Sequence, residues 1–306
     1  MPPFGSDPVR VRVPATSANL GPGFDALGLA LTRYDDVTAR VTDGGLRVSV
    51  TGEGARSVGR GERHLVVRVM RETFARLGVA PPGLQVTCAN RIPHGRGLGS
   101  SAAAIAAGVV AARALVTDGP SRLDTAAMID LAAELEGHPD NVAACLLGGL
   151  TVAWTGADGH RAVRLEPAAG LCPVVFVPRS RASTARVRRL LPGTVPYADA
   201  VANVGRTALL VGALLTGGTD DVLLVGTEDR LHQPYRAEAM PATAELISRL
   251  RAAQVPAVVS GAGPSVLALT ASRETAARAA GSAPEGWTVH RLSVAPTGAQ
   301  VVPVPP

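Results

Sequence analysis

The segment Pro93-His-Gly-Arg-Gly-Leu-Gly-Ser-Ser-Ala-Ala103 constrains this chain most, because three alternating glycines run straight into a stretch of small residues. Glycine reaches backbone conformations that other residues avoid, so the segment reads as a tight turn opening a helix. That helix, Ser100 to Val116, is apolar on all sides and belongs inside a fold. Its first N–H groups lack partners within the helix and carry the positive end of its dipole, which suits the turn to phosphate. Ser100 and Ser101 add hydroxyls for phosphate or Mg²⁺. The same turn could be a plain packing connection. Gly97–Ala102 also matches G-x-G-x-x-A formally, but that dinucleotide fingerprint opens the first strand–helix unit of a domain, and this one stands deep in the chain.

All 30 basic residues are arginines. A Walker A loop and a protein kinase each need a lysine on the phosphates, and a pyridoxal-phosphate enzyme needs one for its Schiff base, so all three chemistries are excluded.

A chain of 306 residues exceeds what one core comfortably fills, and two packed halves are expected, with the change falling within 155–172. The net charge of +5 is spread from Arg10 to Arg291, dense only in 179–189, and aromatic residues make up 3%. Neither pattern calls for a nucleic-acid partner. Cys88, Cys145 and Cys172 are odd in number and far apart, which fits buried thiols in a reducing compartment, and no H-x-x-x-H pattern suggests a histidine-bound metal. The apolar run Ala102–Ala112 is too short to span a bilayer and the amino terminus lacks the features of a secretory signal, so a cytoplasmic protein without a membrane partner is expected.

Strands are expected at 9–13, 37–41, 46–50, 84–88, 150–154, 174–177, 257–259 and 266–270. A loop is expected over 14–25, and Asp43-Gly44-Gly45 reads as a hairpin turn joining 37–41 to 46–50. Helices are expected at 65–77, stopped by Gly78, from a cap at Ser121 or Asp124 to about Glu136, at 201–215 and at 242–253. The proline-rich tail beyond Val294 is expected to be poorly ordered at its end.

Pro93–Ala102 matches P-x-x-x-G-L-G-S-S-A, the central motif of the GHMP small-molecule kinases, at every fixed position. Val13-Pro-Ala-Thr-Ser-Ala-Asn-Leu-Gly-Pro-Gly-Phe-Asp25 and Ser260-Gly-Ala-Gly-Pro-Ser265 flank it in that family's order, so the chain resembles the family along most of its length. The resemblance implies an α+β fold of two domains. A ribosomal-S5-domain-2-like N-terminal domain would occupy 1–163 and bind ATP, and a ferredoxin-like C-terminal domain would occupy 164–306. It further implies that ATP is held by Pro93, His94, Gly95, Arg96, Gly97, Leu98, Gly99, Ser100, Ser101 and Ala102. Mg²⁺ would be held by Ser101 and a carboxylate just before Gly137. Both Glu134 and Glu136 are candidates, and Glu136 is favoured because it directly precedes the Gly-His-Pro-Asp-Asn segment.

Residues 17–25, 136–141, 183–188 and 233–236 are most similar to the acceptor-facing segments of the homoserine kinases within that family. The resemblance implies L-homoserine as phosphate acceptor, surrounded by Asn19, Asp25, His138, Asp140, Asn141, Arg188, Arg236, Gly261, Gly263 and Ser265, and a homodimeric assembly. Taken alone, Asn19, Asp25 and Asn141 suit an ammonium and a hydroxyl, and Arg188 and Arg236 suit a carboxylate. Asn141 stands where other family members carry an aspartate, and an amide cannot take a proton. Catalysis would then rest on Asn141, Arg188, Ser101 and Mg²⁺ through positioning and charge neutralisation, without a side-chain base. A GHMP kinase acting on an isoprenoid-precursor or sugar alcohol, or a nucleotide-binding protein without catalysis, would share the loop but have little use for the two arginines.

Overall fold

The first strands, β1 (Val9–Ala18) and β2 (Leu27–Thr42), pair antiparallel. The structure, a computed structural model, describes residues 3–304. The start of the amino-terminal segment and the last two residues of the tail lie outside the described residues. The strand expected at 9–13 continues past Pro14, and the loop expected over 14–25 shrinks to the residues after Ala18. The β1–β2 register shifts between Pro14 and Ala15, a bulge that accommodates a residue with no N–H to donate.

β3 (Gly45–Gly52), α1 (Leu65–Arg76) and β4 (Gly83–Asn90) follow. Residues 37–41 and 46–50 are both strands, but the expected hairpin between them is wrong. β4 lies between β2 and β3, antiparallel to the first and parallel to the second. The crossover through α1 lets that helix bury Val66, Val67, Val69, Met70 and Phe74 against the sheet, cover that a lone hairpin would lack.

α2 (Ser100–Leu115) is buried along almost its whole length. A Cβ on Gly108 would lie 2.8 Å from Val69 Cγ1, so α1 and α2 approach each other across that glycine. After a short α3 (Gly119–Arg122), α4 (Thr125–Glu136) is capped by Asp124, whose carboxylate accepts from the Ala127 N–H, and it ends at left-handed Gly137. α5 (Pro139–Leu147) leads into β5 (Leu150–Gly156), which pairs with β2 and with β6 (Gly159–Leu165). β6 has no strong apolar alternation, which hid it in the sequence.

The second sheet contains β7 (Cys172–Val177), β8 (Ala257–Val259), β9 (Val266–Thr270) and β10 (Thr288–Arg291), all antiparallel in the order β10-β7-β9-β8. Between β7 and β8 run α6 (Thr184–Arg188), α7 (Tyr197–Thr216), α8 (Asp220–Gly226), α9 (Gln233–Arg236) and α10 (Pro241–Ala252), and α11 (Arg273–Ala280) follows β9. One face packs Phe176, Val266 and Ala268 against Leu246 and Leu250 of α10 and Ala276 of α11. The other places Val175, Leu267 and Leu269 in the main core with Leu210, Leu214 and Leu223. The chain then returns to the first sheet, where β11 (Gln300–Val302) pairs with β1. The two-unit α+β architecture is as expected, and the tail is an ordered edge strand up to Val302.

α7 has the length and apolarity of a membrane-crossing helix, a feature the longest-run criterion passed over. It carries Asp199 and Arg206, and its Asn203 is buried with the side-chain amide donating to Pro22 O at 2.8 Å.

Candidate active site

The glycine turn connects β4 to α2. Gly95, Gly97 and Gly99 all adopt left-handed conformations (φ 66°, 73° and 68°), and Gly99 is the N-cap of α2 without a side-chain capping bond. The first N–H groups of a 16-residue helix therefore face the cleft together with the glycine backbone. Gly95, Arg96, Gly97, Gly99, Ser100 and Ser101 line that cleft. Leu98 and Ala102 belong to the hydrophobic core, and Pro93 is buried below the turn. Arg96 donates to Pro178 O and Arg179 O, tying the turn to the second half of the chain.

The three glycine-bearing motifs meet here. Ser260 Oγ donates to Gly97 O at 2.6 Å and lies 2.9 Å from Ser17 Oγ, and Gly261 N donates to Ala18 O. Gly261 and Gly263 line the cleft, whereas Ser265 is fully buried with its hydroxyl unpartnered and does not reach it. Ser265 is thus part of the turn's foundation and not of the acceptor surface expected from the sequence.

Across the cleft, Ser101 Oγ donates to Glu136 Oε2 at 2.7 Å, bringing the two expected metal ligands together. Burial raises the Glu136 pKa, with the Ser101 hydrogen bond and the nearby His138 pulling it back down. Glu134 points away and pairs with Arg76. Among the described residues no cluster of three or more His, Cys, Asp or Glu could hold a metal by itself. One carboxylate and one hydroxyl fit Mg²⁺, which completes its shell with water and substrate phosphate oxygens.

Asp140 is buried, and its Oδ1 accepts from Asn141 N and from Asn141 Nδ2 and lies 2.6 Å from His138 Nδ1. Burial opposes charge on His138, but Asp140 outweighs it and raises the pKa. Asn141 Oδ1 accepts from Thr16 Oγ1 at 2.8 Å, so the amide is held at both ends, with one Nδ2 hydrogen left for a ligand. Thr16 lies within the first motif but was not distinguishable there from its neighbours.

One end of the cleft is formed by the loop after β1, where Asn19, Leu20 and Asp25 all have positive φ. Asn19 spends its side chain on that loop, donating to Gly261 O and accepting from Asp25 N. Arg188 makes two bonds to Asp25. Burial works against the Arg188 charge, but Asp25 raises its pKa overall. Arg236 is 2% exposed, and no carboxylate among the described residues bonds it. Its Nη1 reaches His232 Nδ1 at 3.2 Å and Gly261 O at 3.4 Å, its Nε has no partner, and it sits 5.2 Å from the Phe24 ring centroid. Burial, then the Arg188 charge, lowers its pKa. Of the two expected carboxylate clamps, only Arg236 is free of an internal acid.

A second cavity of about 250 Å³ adjoins Ser100 and Ser101 on the other side of the turn, lined by Val58, His64, Leu65, Asn90 and His94, with Asp35 at its wall. His64 is buried with Nδ1 unpartnered. His94, expected among the phosphate contacts, belongs to this cavity. His64, Leu65, Val58 and Asn90 of its lining stood in no motif.

Two family models match the chain, the GHMP kinases N terminal domain over residues 64–149 and the GHMP kinases C terminal over residues 207–288. The homoserine kinase of Streptomyces avermitilis is 57% identical over 305 residues, covering 99% of this chain and 98% of its own, and that of Clavibacter michiganensis is 51% identical, covering 96% and 93%. The crystal structure of homoserine kinase from Cytophaga hutchinsonii superposes with a TM-score of 0.83 at 28% identity, covering 97% of this chain and 98% of that one. At 15% identity, mevalonate diphosphate decarboxylase from Staphylococcus aureus shares the fold alone, with a TM-score of 0.69 over 97% and 98% of the two chains.

Proposed function

Because this chain belongs to the GHMP kinases, we propose that its cleft transfers the γ-phosphoryl group of ATP to the side-chain hydroxyl of L-homoserine, giving O-phospho-L-homoserine. The observation that carries the acceptor is Arg236, a buried guanidinium facing the cleft with its Nε unpartnered and no acid of its own. An amino-acid carboxylate supplies what it lacks; a neutral sugar does not reproduce that pairing, and mevalonate brings a carboxylate but no ammonium for Asp25.

The triphosphate lies along Gly95–Gly99 and the N-terminus of α2, with the base in the adjacent cavity at His64 and Leu65. Asp25, held by Arg188, offers its carboxylate to the acceptor ammonium. The free Nδ2 hydrogen of Asn141 orients the acceptor oxygen toward the terminal phosphorus. Glu136 and Ser101 would hold Mg²⁺, whose charge offsets that of the phosphates. With no side-chain base, the acceptor proton passes to an oxygen of the transferred phosphoryl group late in a loose transition state, and in-line positioning and charge neutralisation supply the rate. A hydroxyl one carbon shorter, as in serine, falls short of that line.

A homodimer is the assembly proposed, supported by the exposed apolar row of Tyr197, Val201 and Val204 on α7. A cytoplasmic location is supported by three unpaired cysteines, with burial pushing the Cys88 thiol up to about 12. The test is Mg²⁺-dependent ADP release with L-homoserine set beside serine, threonine, mevalonate and galactose. Turnover with homoserine above all others is expected. Turnover only with mevalonate or galactose, neither of which is an amino acid, would overturn the acceptor assignment, and none with any acceptor would overturn the kinase.

A further inference from the structure

His232 stands one helical turn ahead of Arg236 and is completely buried. Its Nε2 lies 2.7 Å from Gly21 O, an atom that only accepts, so the proton is on Nε2. Its Nδ1 lies 3.2 Å from Arg236 Nη1, which only donates, so Nδ1 presents a lone pair. Each ring nitrogen thus has one role, and the two roles agree on a single neutral tautomer. Phe24 stacks on the ring at 4.9 Å and 28°, and Asp229 lies 3.5 Å from Nε2 while accepting from the backbone N–H groups of His232 and Gln233. The ring therefore cannot turn without breaking the loop after β1 or the start of α9.

We propose that His232 is a positioning residue, which as neutral imidazole holds the Arg236 guanidinium where it receives the acceptor's carboxylate. This rests on the reading that Arg236 binds that carboxylate. The bond to His232 is the shorter of Arg236's two polar contacts, and both residues are buried. Protonating Nδ1 would set an N–H against a guanidinium and add a second cation beside it. The charged groups around the pair are Asp229 on the segment before α9, Asp25 and Arg188 at the acceptor loop, and Asp140 on α5. Burial, with Arg236, keeps His232 below its ordinary pKa, and Asp229 opposes them. The neutral form therefore prevails at neutral pH and is lost on acidification.

The experiment compares KM for homoserine and for ATP, with kcat, in the wild type, His232→Asn and His232→Leu between pH 8 and pH 5.5. Asparagine keeps an acceptor near Nδ1 and cannot titrate, whereas leucine keeps nothing. At pH 8, His232→Asn is expected to hold the homoserine KM within about threefold, and His232→Leu to raise it tenfold or more, with ATP KM unchanged in both. On acidification the wild-type homoserine KM should climb more steeply than that of His232→Asn, which keeps only the part due to other groups of the cleft such as His138. In an Arg236→Met background the His232 substitutions should add nothing. An acid climb as large in His232→Asn as in the wild type, an ATP KM that moves with the homoserine KM, or additive losses in the double variant would each overturn the proposal. Should His232→Leu fail to fold, the asparagine variant and its pH profile still decide. Absence of homoserine turnover in the wild type would instead refute the function on which the proposal rests.

Discussion

Gly95 and Gly97 form a matched pair for testing whether the cleft depends on contact between the glycine turn and the Ser260–Ser265 turn. Both are left-handed, at φ 66° and 73°, so alanine at either incurs a similar backbone strain of about 1 kcal/mol. Their surroundings differ. A Cβ on Gly95 meets nothing nearer than 3.6 Å, whereas one on Gly97 would lie 2.1 Å from Ser260 O and 3.0 Å from Gly263 N. Those are backbone atoms of a turn anchored to Ala18 and Ser17, so relief requires the two turns to separate by on the order of 1 Å.

Gly95→Ala is therefore expected to lose about 1 kcal/mol of stability and little of its homoserine KM. Gly97→Ala should lose about 2–4 kcal/mol, adding overpacking to the same strain. Because Gly261 and Gly263 form one wall of the acceptor site, its kcat/KM should fall by about a hundredfold, the usual cost of misplacing reacting groups by 1 Å. Urea unfolding and initial-rate ADP release with both substrates varied would measure this. Equal stability and equal rates for the two variants would refute the reasoning, since the backbone strain they share would then be the whole effect.

Arg236→Met should lower kcat/KM for homoserine by about ten- to a hundredfold, from losing charged hydrogen bonds worth about 1.5–3 kcal/mol, and leave the ATP KM unchanged. Its melting temperature should stay close to wild type, because relief of a desolvated cation offsets the unpartnered His232 Nδ1, and an equal loss of ATP affinity would remove the clamp role. Ser101→Ala and Glu136→Gln should each raise the Mg²⁺ concentration needed for half-maximal rate, measured at fixed ATP, and an unchanged requirement would leave their mutual bond purely structural. Asp35 is raised to about 6 by burial, although the Arg91 and Ile92 N–H groups donate to it. Its folded pKa exceeds its unfolded one, so the stability it contributes is complete below about pH 4 and lost as pH rises through 6. Asp35→Asn should accordingly gain stability, by up to about 3 kcal/mol at pH 7.5 and less at pH 5, and a gain that does not grow with pH would contradict that sign.

Strands β8 and β9 were legible in the sequence because their apolar runs have one possible use, burial on both faces of a sheet. The insertion of β4 between β2 and β3 was not. Alternation tells that a strand has two faces but not which neighbour takes its edge. That edge goes to β4, which arrives only after α1 has crossed over and buried its own apolar stripe. The same limit hid β11, whose three residues have no pattern of their own and are ordered by bonding to β1.

At the site, the glycine turn was legible because a run of left-handed positions is a demand of the backbone itself, written directly as glycine. Polar side chains are different, since their role depends on partners met only in the fold. Asn19, Asp25 and Arg188 looked equally available, yet Asn19 is tied to Gly261 and Asp25 with only one Nδ2 hydrogen to spare, and Arg188 is held by Asp25. Ser265 looked like a ligand and is sealed beneath its turn. Phe24 stood within the first motif without a role of its own and His232 outside every motif, and their roles arise where a residue early in the chain stacks on one more than two hundred positions later. Of the two arginines only Arg236 is left without an acid after these pairings, and only a spatial inventory of partners could separate it from Arg188.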